Sequence, residues 1–156
     1  MNGRIEALFK NKTVVYLDTA PIIYLIQEDP KYFPLVKIIF EKIDQGYVSA
    51  ISSFLTLIEV LEKPLEHKDY ALARQYTDLM TQSSCFTLYP VERTVAEKAA
   101  ELRAKYRQFK QVVNFPTPDA IQIATAISFD AQLLITNDRQ YKNVKELEVL
   151  VLDDLL

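Results

Sequence analysis

Four carboxylates stand where the surrounding sequence gives a carboxylate no evident reason to be. Asp18 ends the apolar run Val14-Val15-Tyr16-Leu17, and Asp138 follows the run Leu133-Leu134-Ile135. Glu59 interrupts Phe54-Leu55-Thr56-Leu57-Ile58 and is followed at once by Val60-Leu61. Asp119 opens an almost uncharged segment from Ala120 to Phe129. An ionised carboxylate is rarely buried alone, because desolvation penalises the charge or forces it to neutralise. Four such placements point to a shared partner, and a divalent cation suits clustered carboxylates.

Hard cations such as Mg²⁺ and Mn²⁺ take oxygen ligands, keep several waters and need few protein carboxylates. They activate water and stabilise the leaving oxygen in an in-line attack at phosphorus. An acidic cluster without His or Cys therefore fits phosphodiester hydrolysis better than zinc chemistry. The single histidine, His67, lies in the polar stretch Glu66-His67-Lys68-Asp69, which excludes a His-rich zinc site and a His–His nuclease. Gly3 and Gly46, the only glycines, have no companions that would make a phosphate-binding loop. The lone Cys85 cannot form an internal disulfide, which fits a reducing cytoplasm.

These residues need elements to position them. Short apolar runs alternate with helix-period segments, which predicts an α/β fold in three layers around a mostly parallel sheet of about five strands. The expected strands are Thr13–Leu17, Tyr47–Ile51, Cys85–Leu88, Gln132–Thr136 and Glu148–Leu152. Expected helices run through Ile22, Ile23 and Ile26, over Phe33–Asp44, through Glu59 with Ser52 or Ser53 as cap, and over 68–82. Pro64 should help to end the Glu59 helix. Val91, Val95, Ala99, Leu102, Tyr106 and Phe109 recur at spacings of three and four, which predicts a long amphipathic helix. Asn114 to Thr117 reads as loop, and Thr117-Pro118-Asp119 as N-cap, N1 and N2 of a buried helix. Asp18 and Asp138 thus fall just past the carboxyl ends of strands, where open α/β sheets form their sites.

At 156 residues, the sequence is expected to form a single domain over 1–156. Its hydrophobic fraction of 49% is ordinary for a globular protein, and no secretory signal or membrane-spanning run is evident. The net charge of −3 does not announce a polyanion ligand. Between Glu92 and Lys110 the balance reverses, however, with Arg93, Lys98, Arg103, Lys105, Arg107 and Lys110 against three glutamates. That stretch is either a guide for nucleic acid or a solvated helix face.

Four ordered segments carry a family resemblance: Tyr16-Leu17-Asp18-Thr19; Ser53 with Ile58-Glu59-Val60; Pro118-Asp119-Ala120-Ile121-Gln122-Ile123-Ala124; and Ile135-Thr136-Asn137-Asp138-Arg139. Together they resemble the motifs of the PIN-domain family, and most nearly its VapC-type ribonuclease toxins from toxin–antitoxin pairs. The resemblance implies a PIN-like α/β/α fold, a Mg²⁺- or Mn²⁺-dependent endoribonuclease acting on RNA, a cognate antitoxin, a homodimer and a cytoplasmic location. It places Asp18, Glu59, Asp119 and Asp138 as catalytic, metal-holding acids, with Thr136, Thr19 and Asn137 in support. It also implies that Tyr24, Tyr32 and Phe33 lie near a partner-binding surface. Ala20 replaces a frequent Asn or Ser, and Gln140-Tyr141 replaces a frequent Asp-Phe. The first change bears on positioning of substrate or water, and the second removes a supporting carboxylate.

Each acid also has a plain structural reading. Asp18 could cap the next helix, Asp119 could stabilise a helix start through the macrodipole, and Asp138 could be a turn residue. Glu59 could pair with Lys63 four residues on. Asp153-Asp154 reads as a solvated end outside the site. An aspartyl-phosphate phosphatase is disfavoured because Ala20 breaks its Asp-x-Asp pattern, and a receiver lacks its acidic pair. The remaining alternative is a degenerate scaffold that binds RNA or protein without cutting.

Overall fold

The structure is a computed structural model that describes residues 2–108 and 115–156. Phe109, Lys110 and Asn114, which figured in the expected helix face, basic stretch and loop, lie outside the described residues. Five strands form one sheet: β1 (Val14–Leu17), β2 (Ser49–Ser53), β3 (Phe86–Tyr89), β4 (Leu133–Thr136) and β5 (Val149–Val151). The order is β3-β2-β1-β4-β5 and every pairing is parallel. Parallel strands are covered on both faces, which is why β4 is buried along its whole length.

Alternation along the strands divides the core. Val15, Leu17, Leu133 and Ile135 pack with α1 (Asn2–Phe9), α2 (Thr19–Ile26), α3 (Phe33–Asp44), α4 (Phe54–Glu66) and α5 (Tyr70–Gln82). Tyr16, Ile51 and Leu134 pack on the other face against α6 (Arg93–Gln108) and α7 (Thr117–Ser128). The result is the expected α/β/α sandwich. Ile135 is fully buried at its centre. Ile135→Ala is therefore expected to lower unfolding free energy by about 2–5 kcal/mol, read as a lower denaturant midpoint with an unchanged slope.

Several local readings shift. Helix α1 is absent from the sequence reading, although Ile5 and Phe9 anchor it in the core. Strand β2 runs two residues later than expected. Tyr47 follows Gly46, whose φ of +75° makes a turn, and is 63% exposed beneath the Lys42 ammonium. The strand instead recruits Ser52 and Ser53, whose buried hydroxyls find backbone partners. Pro64 lies inside α4, where the His67 N–H bonds the Lys63 carbonyl at 3.0 Å and closes the last turn. Helix α7 begins one residue early, with Pro116 at the N-cap, so Asp119 remains in the first turn. Val91 precedes α6 and is exposed.

The basic stretch resolves mainly as a helix face engaged in local pairs. Arg93 meets Glu97 at 2.7 Å, Lys98 meets Glu101 at 2.9 Å, and Lys105 meets Glu146 at 2.5 Å. Arg103 donates to the Phe115 carbonyl at 3.0 Å. No described helix is long and apolar enough to cross a membrane.

Candidate active site

Strand order reverses between β1 and β4, and the chain leaves both strands at the same edge of the sheet. Asp18 follows β1, and Asp138 follows β4 by two residues. Helix α4 brings Glu59 to that edge, and the first turn of α7 brings Asp119. All four acids line one open pocket of about 450 Å³, together with Thr19, Ala20, Ile23, Tyr24, Asn137, Arg139 and Tyr141. A larger cavity, about 560 Å³, lies beside α1 and is lined by Lys10, Lys12, Lys42 and a single carboxylate, Glu6. The acids, not the size, mark the site.

Asp18 and Glu59 are held by contacts other than their plain structural readings, while Asp119 keeps its first-turn place and Asp138 its turn. Asp18 occupies the N-cap position of α2 but makes no side-chain cap bond. Its Oδ2 instead accepts from Thr136 Oγ1 at 2.6 Å. The same Thr136 oxygen accepts from the Asp138 N–H at 3.0 Å, so one buried hydroxyl ties both aspartates. Asp138 Oδ1 accepts from the Gln140 N–H at 2.8 Å, which is its expected turn role as well. Among the described residues Glu59 forms no ion pair with Lys63; Thr19 Oγ1 donates to its Oε2, and so does Gln122 Nε2 at 3.2 Å.

Thr136→Val should leave the Asp138 N–H unpaired and remove a donor from buried Asp18. An unsatisfied buried group costs about 1–3 kcal/mol, so urea unfolding should register that loss while Thr136→Ser restores most of it.

Burial pushes the Asp18 carboxyl up to about 6, against the Thr136 hydroxyl and the Thr19 N–H, with the Glu59 and Asp119 charges adding to the rise. Burial also raises Asp119, helped by Asp138 and Glu59 and opposed by Tyr141. The acids therefore feel one another. None of them forms an ion pair with a lysine or arginine among the described residues; Arg139, the cation in the pocket lining, is engaged with Asp154 at 2.9 Å. Burial moves the Tyr141 hydroxyl far above its ordinary range, with the Asp18 and Asp119 charges adding to it, so it stays a proton donor.

The supporting residues divide. Thr136 and Thr19 touch the acids directly. Asn137 faces sideways, donating to Tyr24 OH at 3.2 Å and accepting from the Asp153 N–H at 3.0 Å. Tyr24 lines the pocket and stacks on Tyr32, with ring centroids 4.2 Å apart. Tyr32 OH in turn donates to Asp153 at 2.8 Å, and Lys31 pairs with the same carboxylate. Asp154 takes Arg139 and Lys142. The closing acids are solvated and outside the pocket lining, as expected, but they are tied by surface ion pairs to Lys31, Arg139 and Lys142, of which Arg139 lines the pocket. Gln122, Tyr141 and Arg139 escaped sequence reasoning as site residues. The one available signal was Gln122, a polar residue inside an apolar helix run.

The donor set suits a hard cation: oxygen ligands, mutual repulsion and open access for water. Among the described residues no three or more His, Cys, Asp or Glu side chains are preassembled to hold a metal ion. A Mg²⁺-type ion needs only one or two carboxylates and fills its remaining positions with water, so the shared pocket fits one.

The fold has solved counterparts. A chain of VapBC2 from Rickettsia felis, bound to a promoter DNA fragment, superposes with a TM-score of 0.71 at 18% identity, covering 89% of this chain and 98% of that one. VapBC-1 from nontypeable Haemophilus influenzae gives 0.67 at 20% identity, covering 90% and 99%. VapC20 of Mycobacterium tuberculosis, a sarcin–ricin-loop-cleaving toxin, gives 0.60 at 14% identity, covering 77% and 86%. Compared by sequence with curated proteins, the chain has no match. The family model for the PIN domain matches residues 15–147, a span that holds all four acids and leaves out the flanking α1 and β5. The chain belongs to the PIN-domain family.

Proposed function

We propose that this protein is a Mg²⁺- or Mn²⁺-dependent endoribonuclease and the toxin of a toxin–antitoxin pair. One observation carries the reading: four acids from four separate segments line a single pocket without a neutralising ion pair among the described residues. Asp18, Asp119 and Asp138 would hold the cation or cations, and Glu59 a cation or its waters. A bound divalent ion supplies water activation and charge neutralisation at the scissile phosphate. Thr136 fixes the Asp18 carboxylate and the backbone of Asp138 for that task, and Thr19 fixes Glu59. Protonated Tyr141 faces Asp119 and limits its freedom. The pocket is open, as a polymeric substrate requires.

An RNA substrate is supported by the likeness to a toxin that cleaves the sarcin–ricin loop, and an antitoxin partner by the likeness to toxin–antitoxin complexes. A homodimer working in the cytoplasm, implied by the resemblance of the sequence motifs, completes the proposal. A non-cutting scaffold is the second reading, favoured by the absence of a preassembled ligand set among the described residues. Product ends test the mechanism. Attack by water in line with the 3′-oxygen leaves a 5′-phosphate and a 3′-hydroxyl. A 2′,3′-cyclic phosphate would assign the attack to the RNA's own 2′-hydroxyl and overturn the reading.

A further inference from the structure

Glu59 owes its orientation to a residue that is itself buried. Gln122, on α7, is 1% exposed, and both its oxygen and its nitrogen are hydrogen-bonded. Nε2 donates to Glu59 Oε2 at 3.2 Å, and Oε1 accepts from Thr56 Oγ1 at 2.9 Å and from Tyr16 OH. This sense of the amide follows from chemistry. An ionised carboxylate only accepts, so the NH₂ must face Glu59 and the carbonyl must face the two hydroxyls. Both hydroxyls can donate. Ser52 Oγ, which donates to the Leu17 carbonyl at 2.7 Å, also points its proton at Thr56 Oγ1 at 2.9 Å, so Thr56 accepts there and keeps its own proton for Gln122.

The contacts form a path from strand to site. Tyr16 is the fully buried centre of β1, and Thr56 and Ser52 are fully buried at the junction of β2 and α4. Flipping the amide would set its oxygen against the Glu59 carboxylate and its nitrogen against Tyr16, so the rigid sheet fixes its sense. Thr19 holds the same Glu59 oxygen from α2. With Oε2 engaged twice, Oε1 is the Glu59 oxygen that no hydrogen-bond donor reaches among the described residues.

We infer that Gln122 is a positioning residue, whose carboxamide, oriented by Tyr16 and Thr56, clamps one oxygen of Glu59 and presents the other to a cation or its waters. This rests on the metal-dependent reading above. It extends that reading to a residue that touches neither substrate nor metal, and it makes α7 a supplier of two parts: Asp119 at its first turn and the Glu59 clamp one turn on.

Mn²⁺ binding, measured by calorimetry, separates this role from a purely structural one. Gln122→Met keeps the length and removes every hydrogen bond. Loss of a group that orients a metal ligand lowers affinity about 10–100-fold, and the Mn²⁺ dissociation constant should rise by that factor. In a Glu59→Ala background the same substitution should change it by less than about twofold, because the effect passes through Glu59. A milder pair, Thr56→Val and Tyr16→Phe, should each weaken Mn²⁺ binding by a smaller factor if Gln122→Met fails to fold.

Side-chain amide exchange of Gln122 by NMR, in metal-free protein, gives a readout that needs no cation. Slow exchange that Thr56→Val accelerates is the expected result; exchange as fast as in an exposed glutamine overturns the clamp. Stability loss in Gln122→Met with an unchanged Mn²⁺ constant overturns the positioning role. Wild-type protein that binds no Mn²⁺, with the amide still protected, overturns the parent reading instead and takes the functional role with it.

Discussion

Asp18→Asn and Asp119→Asn each lower metal-dependent RNA cleavage by more than about 100-fold, since loss of mere supporting partners already costs about 10–100-fold. Neither substitution should unfold the protein. Asn at 18 still accepts from Thr136, and it removes a buried charge that repels Glu59 and Asp119. Asn at 119 likewise removes repulsion with Asp138 and Glu59. The variants should therefore match or exceed the wild type in melting temperature without metal while being inactive with it. Loss of activity that tracks loss of fold would mean that these acids are structural. The measurement is initial cleavage rate beside thermal unfolding of the same preparations.

Stability of the metal-free protein falls as pH rises from 5 to 7.5, and Asp18→Asn removes most of that fall. Asp18 is lifted from its ordinary 3.8 to about 6, chiefly by burial. The folded protein then binds this proton more tightly than the unfolded chain does. Between the two values the native state carries the extra proton, so unfolding free energy declines through that window and the full penalty stands above pH 6. The full difference is about 3 kcal/mol at most, of which about half falls between pH 5 and 7.5, and each kcal/mol moves the melting temperature by roughly 2–4 °C. Asp119, raised in the same direction, accounts for a residual slope in the variant. Mn²⁺ should reverse the trend, because a cation that binds only the folded state stabilises it by mass action. Thermal unfolding at the two pH values, in EDTA and in Mn²⁺, checks both signs. Parallel curves for the wild type and Asp18→Asn would contradict the account.

The sheet edge was legible because strand ends and chemistry coincide. The runs ending at Leu17 and Ile135 are apolar, so the polar residues just past them had to lie at the carboxyl edge. The bounds of α3 were legible too, from a strong apolar face that starts beside Pro34. What escaped was whatever depends on a distant partner. Ser53 caps α4 through the Leu55 N–H, as its type and place allowed, but the burial of Ser52 makes sense only once the distant Leu17 carbonyl accepts its proton. Gln122 looks like an accident in an apolar helix until Tyr16, Thr56 and Glu59 surround it. Asp153 and Asp154 look like a frayed end until Lys31, Tyr32, Arg139 and Lys142 reach them from other segments. Departures from the family motif read differently in three dimensions as well. Tyr141, which stands in the frequent Asp-Phe pair, is a buried hydroxyl beside Asp119, so the site gains a neutral donor there.

The most direct test is cleavage of a mixed cellular RNA pool by the purified protein, titrated with Mn²⁺ or Mg²⁺ and compared with EDTA and with Asp119→Asn. Discrete products that appear with the metal and vanish in EDTA and in the variant are the predicted result. RNA that is bound yet intact at every metal concentration would contradict the nuclease and identify the pocket as a binding surface.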